Sequence, residues 1–543
     1  MNFQRIFLLP LVIGIYANGI LLLGYLNLLR EDILFFYTVI YLILTASIIY
    51  FKKTFTFKDF LTLLDIREKS NLWKLFFGLI VLQLGVNLIG ALGPELGFDA
   101  LWYHLTIPKI YLAEENIFII PGNLLYYSSM PQLTEMIYLV GLIFETAVVP
   151  KLTHYTFGLL TIFVLYYGSK RFYGDKIAIV ISAVLLSNLV FSWEQITAYI
   201  DLGRTFFEVF IFFSVLEFTN TQKRKWIYIT GVILGLAIST KLLSLGTLII
   251  VLIIILVNDL KKRKKIVFTN LFITSIFALL IPLPWFVRSF LAHGNPVYPF
   301  FTDLYPIQST ENILIYFQNI LTVFLLSADP INPIYLLLLP ITLYTFKKWQ
   351  RRDRLIALYG LLSILVWSIT PNTGGGRFIL PYLPVFSVLS GITLMHMEKI
   401  KRKEWKYAKN VAYLIIISLA VISIIYRGVA NAKYIPVILG SESKQSFLSS
   451  NLNFSYGDFY DIDGFFDKNI SEKDKVLLFG FHNLYYVDFP YTHDSWIKKG
   501  DKFNYIATQN VDIPERFATW NKIYENDRTN VKVYKIDNGY WIY

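Results

Sequence analysis

Apolar stretches of 17 to 25 residues recur along this chain as far as about residue 430, and each is long enough to cross a hydrocarbon layer of about 30 Å as a helix. They fall near 6–29, 33–51, 75–93, 148–168, 176–193, 202–219, 226–243, 244–258, 266–288, 331–347, 355–371, 376–397 and 410–430. A 543-residue chain that is 55% hydrophobic and only 16% charged has too little polar surface to cover its apolar mass in water. Lipid is its solvent, and the fold class expected is an all-α polytopic membrane protein of about thirteen spans. The first stretch is too long for a signal-peptide core and lacks a small-residue cleavage site, so it is expected to remain as a span.

The formal charge of +12 does not mark a nucleic-acid binder, because of where the cations sit. Twenty-eight of the 50 Lys and Arg crowd into six short segments, 52–74, 169–176, 222–225, 261–265, 347–354 and 398–409, while 289–330 contains none. This is the positive-inside pattern and makes those six segments cytoplasmic, with the protein in the cytoplasmic (inner) membrane. Sidedness also settles 131–146, which is apolar enough to pass for a span. Counting it as one would put the 169–176 and 222–225 loops outside, so it is expected to be an interfacial or re-entrant helix. Thirteen spans then leave the N-terminus inside and the C-terminus outside.

Three outer loops follow from this arrangement: 94–147, 194–201 and 289–330. Residues 1–74 form two N-terminal spans and a basic loop, and 75–430 form the core. Residues 431–543 carry 13 Lys and Arg against 15 Asp and Glu, with β-rich runs at 475–480, 503–507, 531–536 and 540–543 and a helix expected near 514–525. This reads as a small extracytoplasmic α/β domain. The chain has no cysteine, which excludes disulfides and thiolate chemistry.

Asp99 stands in the first outer loop before the amphipathic segment ALWYHLT. If that segment is helical, Trp102 and Tyr103 share a face with Asp99, while His104 points about 140° away. Asp99 reads equally as an ordinary helix N-cap, and His104 as a structural residue. Asp201 closes the second loop, seven residues after Glu194, where an acidic side chain can simply be solvated.

The outer face is almost empty of cations, so those that remain carry information. Outside the six basic segments and the C-terminal region there are only Arg5, Arg30, Lys109, Lys151, Arg204, Lys241, Arg288, Arg377 and Arg427. Lys241 splits the 33-residue apolar run 226–258 nearly in half. A lone Lys at the bilayer centre costs at least about 2.5 to 3.5 kcal/mol, so a tight hairpin with Lys241 at the outer rim is expected. A cationic rim beside acidic loops suits a phosphate whose lipid tail lies in the membrane. The alternative is snorkelling to the phosphates of the surrounding bilayer. Glu208, inside a span, has no evident partner.

Taken in order, GFDALWYHL, PQLTEMIYLVGLIF, VPKLTHYTFGLLTIFVLYYGSKRFYG, EQITAYIDLGRTFF, GLAISTKLLSL, GNPVYPFF and GGGRFILPYLPVFSVLSG resemble the GT-C superfamily of polyprenyl-phosphate-sugar-dependent glycosyltransferases. That superfamily includes protein mannosyltransferases and aminoarabinose transferases, and the resemblance covers about 75–430. It implies that Asp99 and Asp201 are the catalytic acidic pair. Lys241, Arg288, Arg377 and Lys109, with Tyr103, His104 and Tyr298, are the expected substrate and phosphate contacts. The partners it implies are a polyprenyl-phosphate-linked sugar donor and a glycan, lipid or protein acceptor. In some members the second acidic site helps hold a divalent metal, which here would fall to Asp201 and Glu194. Many members carry an acidic pair at the first site, whereas here Ala100 follows Asp99.

The chemistry expected is transfer to an acceptor hydroxyl on the outer face. Asp99 takes the proton, the cations offset charge on the departing phosphate, and attack from the opposite side inverts the anomeric centre. The competing readings are an envelope lipid or glycan transporter, favoured by Glu208 alone, and a glycan polymerase or ligase.

Overall fold

The computed structural model describes residues 3–51, 67–261, 267–305, 313–326, 331–370, 375–536 and 539–543. Most of the 52–74 loop, most of the 261–265 basic run and the 306–312 and 327–330 stretches of the third outer loop lie outside the described residues. Every expected apolar stretch falls on helical structure. Among the described residues, seven helices are long and apolar enough to cross a membrane alone: Phe3–Tyr25, Glu31–Tyr50, Asn71–Leu92, Val148–Tyr173, Leu242–Lys261, Leu380–Glu398 and Lys403–Ala432. The pair Val267–Leu280 and Leu283–His293 is long and apolar enough only when taken together, and it is bent by 63° where Pro282 and Pro284 interrupt the backbone ladder. The remaining apolar stretches are shorter, such as Lys225–Thr240, or carry charge, such as Asp201–Thr221 and Arg351–Ser368. Asp201–Thr221 is buried over nearly its whole length, whereas Arg351–Ser368 leaves Leu361 and Leu365 exposed.

The segment 131–146 forms only the ten-residue helix Leu133–Leu142. At about 1.5 Å per residue it is far too short to span. A second short helix, Ile313–Leu325, covers the other expected interfacial segment.

Contacts collect the basic segments at one end of the bundle. Lys69 pairs with Asp175 and Lys176 with Glu398, both at 2.6 Å. The Tyr173 hydroxyl donates to Asp353 at 2.9 Å, Arg351 donates to Asn258, and the Asn258 amide meets Gln222 at 3.5 Å. The last contact also shows that Lys225–Thr240 and Leu245–Lys261 run antiparallel, with Lys241 in extended conformation at the turn between them. Away from that end, the first of the expected outer loops meets the second through the Asp99 amide and Tyr199, and the described part of the third through Ser129 and His293.

The C-terminal region builds a five-stranded sheet from β1 (Val476–Phe479), β2 (Tyr491–His493), β4 (Tyr505–Gln509), β5 (Asn521–Asn526) and β6 (Val531–Lys535). Its order is β2-β1-β4-β6-β5, with β1 parallel to both neighbours and the other pairs antiparallel. A separate ribbon pairs β3 (Lys502–Phe503) with β7 (Trp541–Ile542). The helix expected near 514–525 is replaced by a single turn at Glu515–Phe517 followed by β5. The NKIYEN run pairs with β6 across the polar turn after Asn526, and a bulge between Lys522 and Tyr524 disguises its alternation.

Candidate active site

Two loops from distant parts of the chain are held together by one buried carboxylate. Glu95 Oε1 accepts from the Leu96 and Gly97 amides at 2.8 and 2.6 Å, and its Oε2 accepts from the Ala198 amide at 2.6 Å. The Lys151 ammonium, also fully buried, donates to the carbonyls of Gly90, Gly93 and Pro94 and so satisfies the end of the preceding helix. The Tyr199 hydroxyl accepts from the Asp99 amide at 3.1 Å, and Tyr138 donates to the Tyr199 carbonyl. These bonds set Asp99 and Asp201 at fixed positions on adjoining loops.

Asp99 precedes a π-helical turn, Ala100–His104, and caps no backbone amide with its side chain. The N-cap reading is therefore set aside. Its Oδ2 instead accepts from Tyr103 Oη at 3.1 Å and pairs with Arg377 Nη2 at 2.7 Å. Arg377 also turns its Nε toward Asp201 Oδ2 at 3.6 Å, while the other Asp201 oxygen pairs with Lys241 Nζ at 2.7 Å. Asp99, Arg377, Asp201 and Lys241 thus form one alternating chain of charge. Phe378 lies under both cations, 5.0 Å from Lys241 and 5.5 Å from Arg377, and Tyr199 flanks Arg377 at 4.9 Å.

The elements bearing these groups are tied by a buried polar network one turn deeper. Glu208 is the acid that stood without a partner in the sequence. Its Oε1 pairs with Arg204 at 3.4 Å and accepts from Ser244 and Thr247 at 3.1 and 2.7 Å. Arg204 continues to Tyr382 Oη at 3.1 Å. The Asp201 helix, the Lys241 turn and the helix after Arg377 are therefore cross-linked, and Glu208 serves structure rather than a transport path.

His104 points away from Asp99 and its Nδ1 lies 2.8 Å from Glu135 Oε1 on the short helix Leu133–Leu142. Burial lowers His104 well below its usual range and pushes Glu135 up to about 8, so at neutral pH the proton resides on Glu135 and the carboxyl donates to a neutral imidazole. His154 sits beneath Asp201, where its Nε2 accepts from the Leu202 amide at 2.9 Å and Nδ1 donates to the Glu194 and Thr197 carbonyls.

Other expected contacts lie elsewhere. Lys109 gives all three ammonium protons to the C-terminal domain: the Tyr485 and Val487 carbonyls at 2.9 Å each and the Asp488 carboxylate. Tyr298 stacks on His293, with ring centroids 3.9 Å apart. Arg288 donates to Tyr111 Oη at 3.1 Å and to the Ser128 and Phe118 carbonyls. It also borders an apolar groove of about 800 Å³ lined by Tyr25, Leu280, Leu283, Val287 and Leu291. Glu95, Glu135, Tyr199 and His154 escaped the sequence reading, since an acid or an aromatic carries no local mark of burial.

A divalent metal does not fit this arrangement. Two carboxylates already meet two cations, Arg377 occupies the space between them, and the described residues contain no group of three or more His, Cys, Asp or Glu that could hold an ion. Glu194 faces His154, with 3.9 Å between Oε2 and Nε2.

The model of the dolichyl-phosphate-mannose-protein mannosyltransferase family matches residues 144–298. The fold is similar to that of ArnT from Cupriavidus metallidurans, both in the apo state (TM-score 0.55) and bound to undecaprenyl phosphate (TM-score 0.56). Identity to each is 13%, and the alignments cover 84% of this chain and 96% or 97% of the other. No curated protein sequence matches the chain. Fold and family match together make this a polytopic membrane protein with the fold of a GT-C glycosyltransferase, similar over residues 144–298 to the protein mannosyltransferases.

Proposed function

We propose that this protein transfers a sugar from a polyprenyl-phosphate donor to an acceptor hydroxyl at the outer face of the membrane, with inversion. The observation that carries this reading is the ion chain Asp99–Arg377–Asp201–Lys241, which offers one carboxylate base and two cations in contact with one another's partners. The acceptor O–H gives its proton to Asp99 as its oxygen bonds to the anomeric carbon. The bond from that carbon to the phosphate oxygen breaks, and its electron pair leaves with the phosphate. Arg377 and Lys241 meet the charge that gathers there, and they are worth most in a site that excludes water. Asp201, with one cation on each oxygen, holds both in place.

Arg377 has a second consequence. While it pairs with Asp99 it occupies the carboxylate oxygen that would take the proton. An arriving donor phosphate competes for the guanidinium, and the competition frees Asp99 only when a donor is present. The apolar groove beside Arg288 supports a lipid-bearing donor. Arg288 holds Ser128, the neighbouring Tyr127 stacks on Tyr103 at 3.7 Å, and Tyr103 bonds Asp99. ArnT in one of the similar structures binds undecaprenyl phosphate, which agrees with this choice of donor.

The test is transfer from polyprenyl-phosphate sugars by the purified protein in lipid, with EDTA present. Activity is expected to survive EDTA and to fall at least a thousandfold in Asp99→Asn, with the melting temperature unchanged. Normal turnover by that variant contradicts the assignment of Asp99, and loss of activity in EDTA contradicts the metal-free site.

A further inference from the structure

The aromatic side chains beside Asp99 have no role in the chemistry above, and one of them comes from the C-terminal domain. The His482 ring stacks on Phe98, with centroids 5.1 Å apart and planes at 26°, and lies 4.4 Å from the ring of Trp102. All three rings are half-buried and keep part of their surface open. Trp102 is fixed by its indole N–H, which donates to the Leu124 carbonyl at 3.0 Å, and it meets Tyr127 edge to face at 5.1 Å. Phe98 and Trp102 bracket Asp99 in sequence, so the wall and the base share one turn of chain.

His482 is held as firmly as a residue of the transfer site itself. It lies on the loop that leaves the carboxyl end of β1, which has parallel neighbours on both sides, the position where open α/β sheets present ligand-binding loops. Asn483 donates to the buried Asp458 carboxylate at 2.6 Å and its amide to the Gly457 carbonyl at 3.0 Å. Two residues further on, the Tyr485 amide donates to the Leu101 carbonyl at 3.3 Å, and Tyr486 Oη donates to the Glu95 carbonyl at 2.9 Å. The loop is therefore bonded directly to the strand of chain that carries Asp99. His482 Nδ1 donates to Asn483 Oδ1 at 2.8 Å, which leaves Nε2 as an acceptor.

We propose that the Phe98–Trp102–His482 wall binds a sugar ring of the acceptor, so that the acceptor is a glycan and the C-terminal domain supplies one side of its site. A pyranose presents polarised C–H bonds to aromatic faces, whose ring quadrupole is negative, and hydroxyls at its edge. The wall offers ring faces for the first and His482 Nε2 for the second, with the base one residue after Phe98 and three before Trp102. The only charge between Phe98 and Trp102 is Asp99 itself, which suits a neutral ligand. That this ligand is the acceptor rests on the transfer reaction proposed above; the binding of a sugar does not.

The test is saturation-transfer NMR on the full-length protein in lipid nanodiscs. The probes are methyl glycosides of glucose, galactose, mannose and N-acetylglucosamine, with a blocked threonine tripeptide alongside. At least one glycoside is expected to receive saturation. His482→Ala and Trp102→Ala should each reduce it at least fivefold, and Asp99→Asn, inactive in transfer, should retain it. If Trp102→Ala lowers the melting temperature, His482→Ala decides alone. No response from any glycoside, an undiminished response in His482→Ala, or a response from the tripeptide instead would overturn the proposal. Displacement of the glycoside by undecaprenyl phosphate would assign the wall to the donor and overturn it equally. An active Asp99→Asn that still binds the glycoside would sink the assignment of the base and leave the wall standing.

Discussion

Arg377 touches two carboxylates, and a lysine in its place would reach only one, because the flat guanidinium presents donors on two sides while an ammonium acts as a point charge. Its importance was legible in the sequence only through scarcity: few cations remain on the face that carries the acidic loops. Scarcity alone did not separate Arg377 and Lys241 from Lys109 and Arg288. Those two are just as rare, yet they spend their donors on carbonyls and on a second domain. Whether a cation serves substrate or backbone depends on what folding brings within 3 Å of it, and no local pattern records that.

The buried pair His104 and Glu135 makes a prediction at the same scale. Burial holds the Glu135 carboxyl at about 8, above its value of about 4.3 in an unfolded chain, so the folded protein binds the extra proton between those limits. A raised carboxyl stabilises the fold at low pH and loses that contribution as pH climbs. His104, pushed downward, works in the opposite sense, but only below its ordinary value of about 6.5. The melting temperature should therefore fall from pH 6.5 to pH 8 and level off beyond, and Glu135→Gln should flatten that slope.

At the scale of elements, the site depends on loops rather than on the helices that flank them. The apolar stretches were readable because lipid demands length and hydrophobicity of a span, and the ten-residue helix 133–142 was separable from them by charge sidedness. The edge strand β5 was not readable: a polar six-residue strand with a bulge has neither alternation nor β-branched enrichment to declare it. Nor was the Glu95 staple, since a loop glutamate ordinarily faces water. Glu95→Ala leaves the amides of Leu96, Gly97 and Ala198 without an acceptor, and each orphaned buried donor costs about 1 to 3 kcal/mol. This variant should melt earlier and lose at least tenfold in turnover, measured as kcat. Glu95→Gln keeps an acceptor oxygen and should fall between it and the native protein.

At the scale of the whole molecule, charge divides the protein into two ends. The basic segments meet each other through Lys69, Lys176 and Arg351, and the acidic loops meet the C-terminal domain through Lys109, Tyr485 and Tyr486. The chain has no cysteine, so single-cysteine labelling reads this division without background. In intact cells a membrane-impermeant maleimide should label Ser441→Cys and leave Lys223→Cys unlabelled until the membrane is opened. The reverse pattern would turn the molecule over and put the transfer site on the cytoplasmic face.

The most direct test of the central claim, that Arg377 and Lys241 hold the donor phosphate beside Asp99, is the affinity of the purified protein for undecaprenyl phosphate. Arg377→Ala and Lys241→Ala are each expected to weaken binding at least tenfold. Asp99→Asn, which removes the carboxylate that competes for Arg377, should bind several-fold more tightly than the native protein. Unchanged affinity in folded Arg377→Ala and Lys241→Ala would contradict the account.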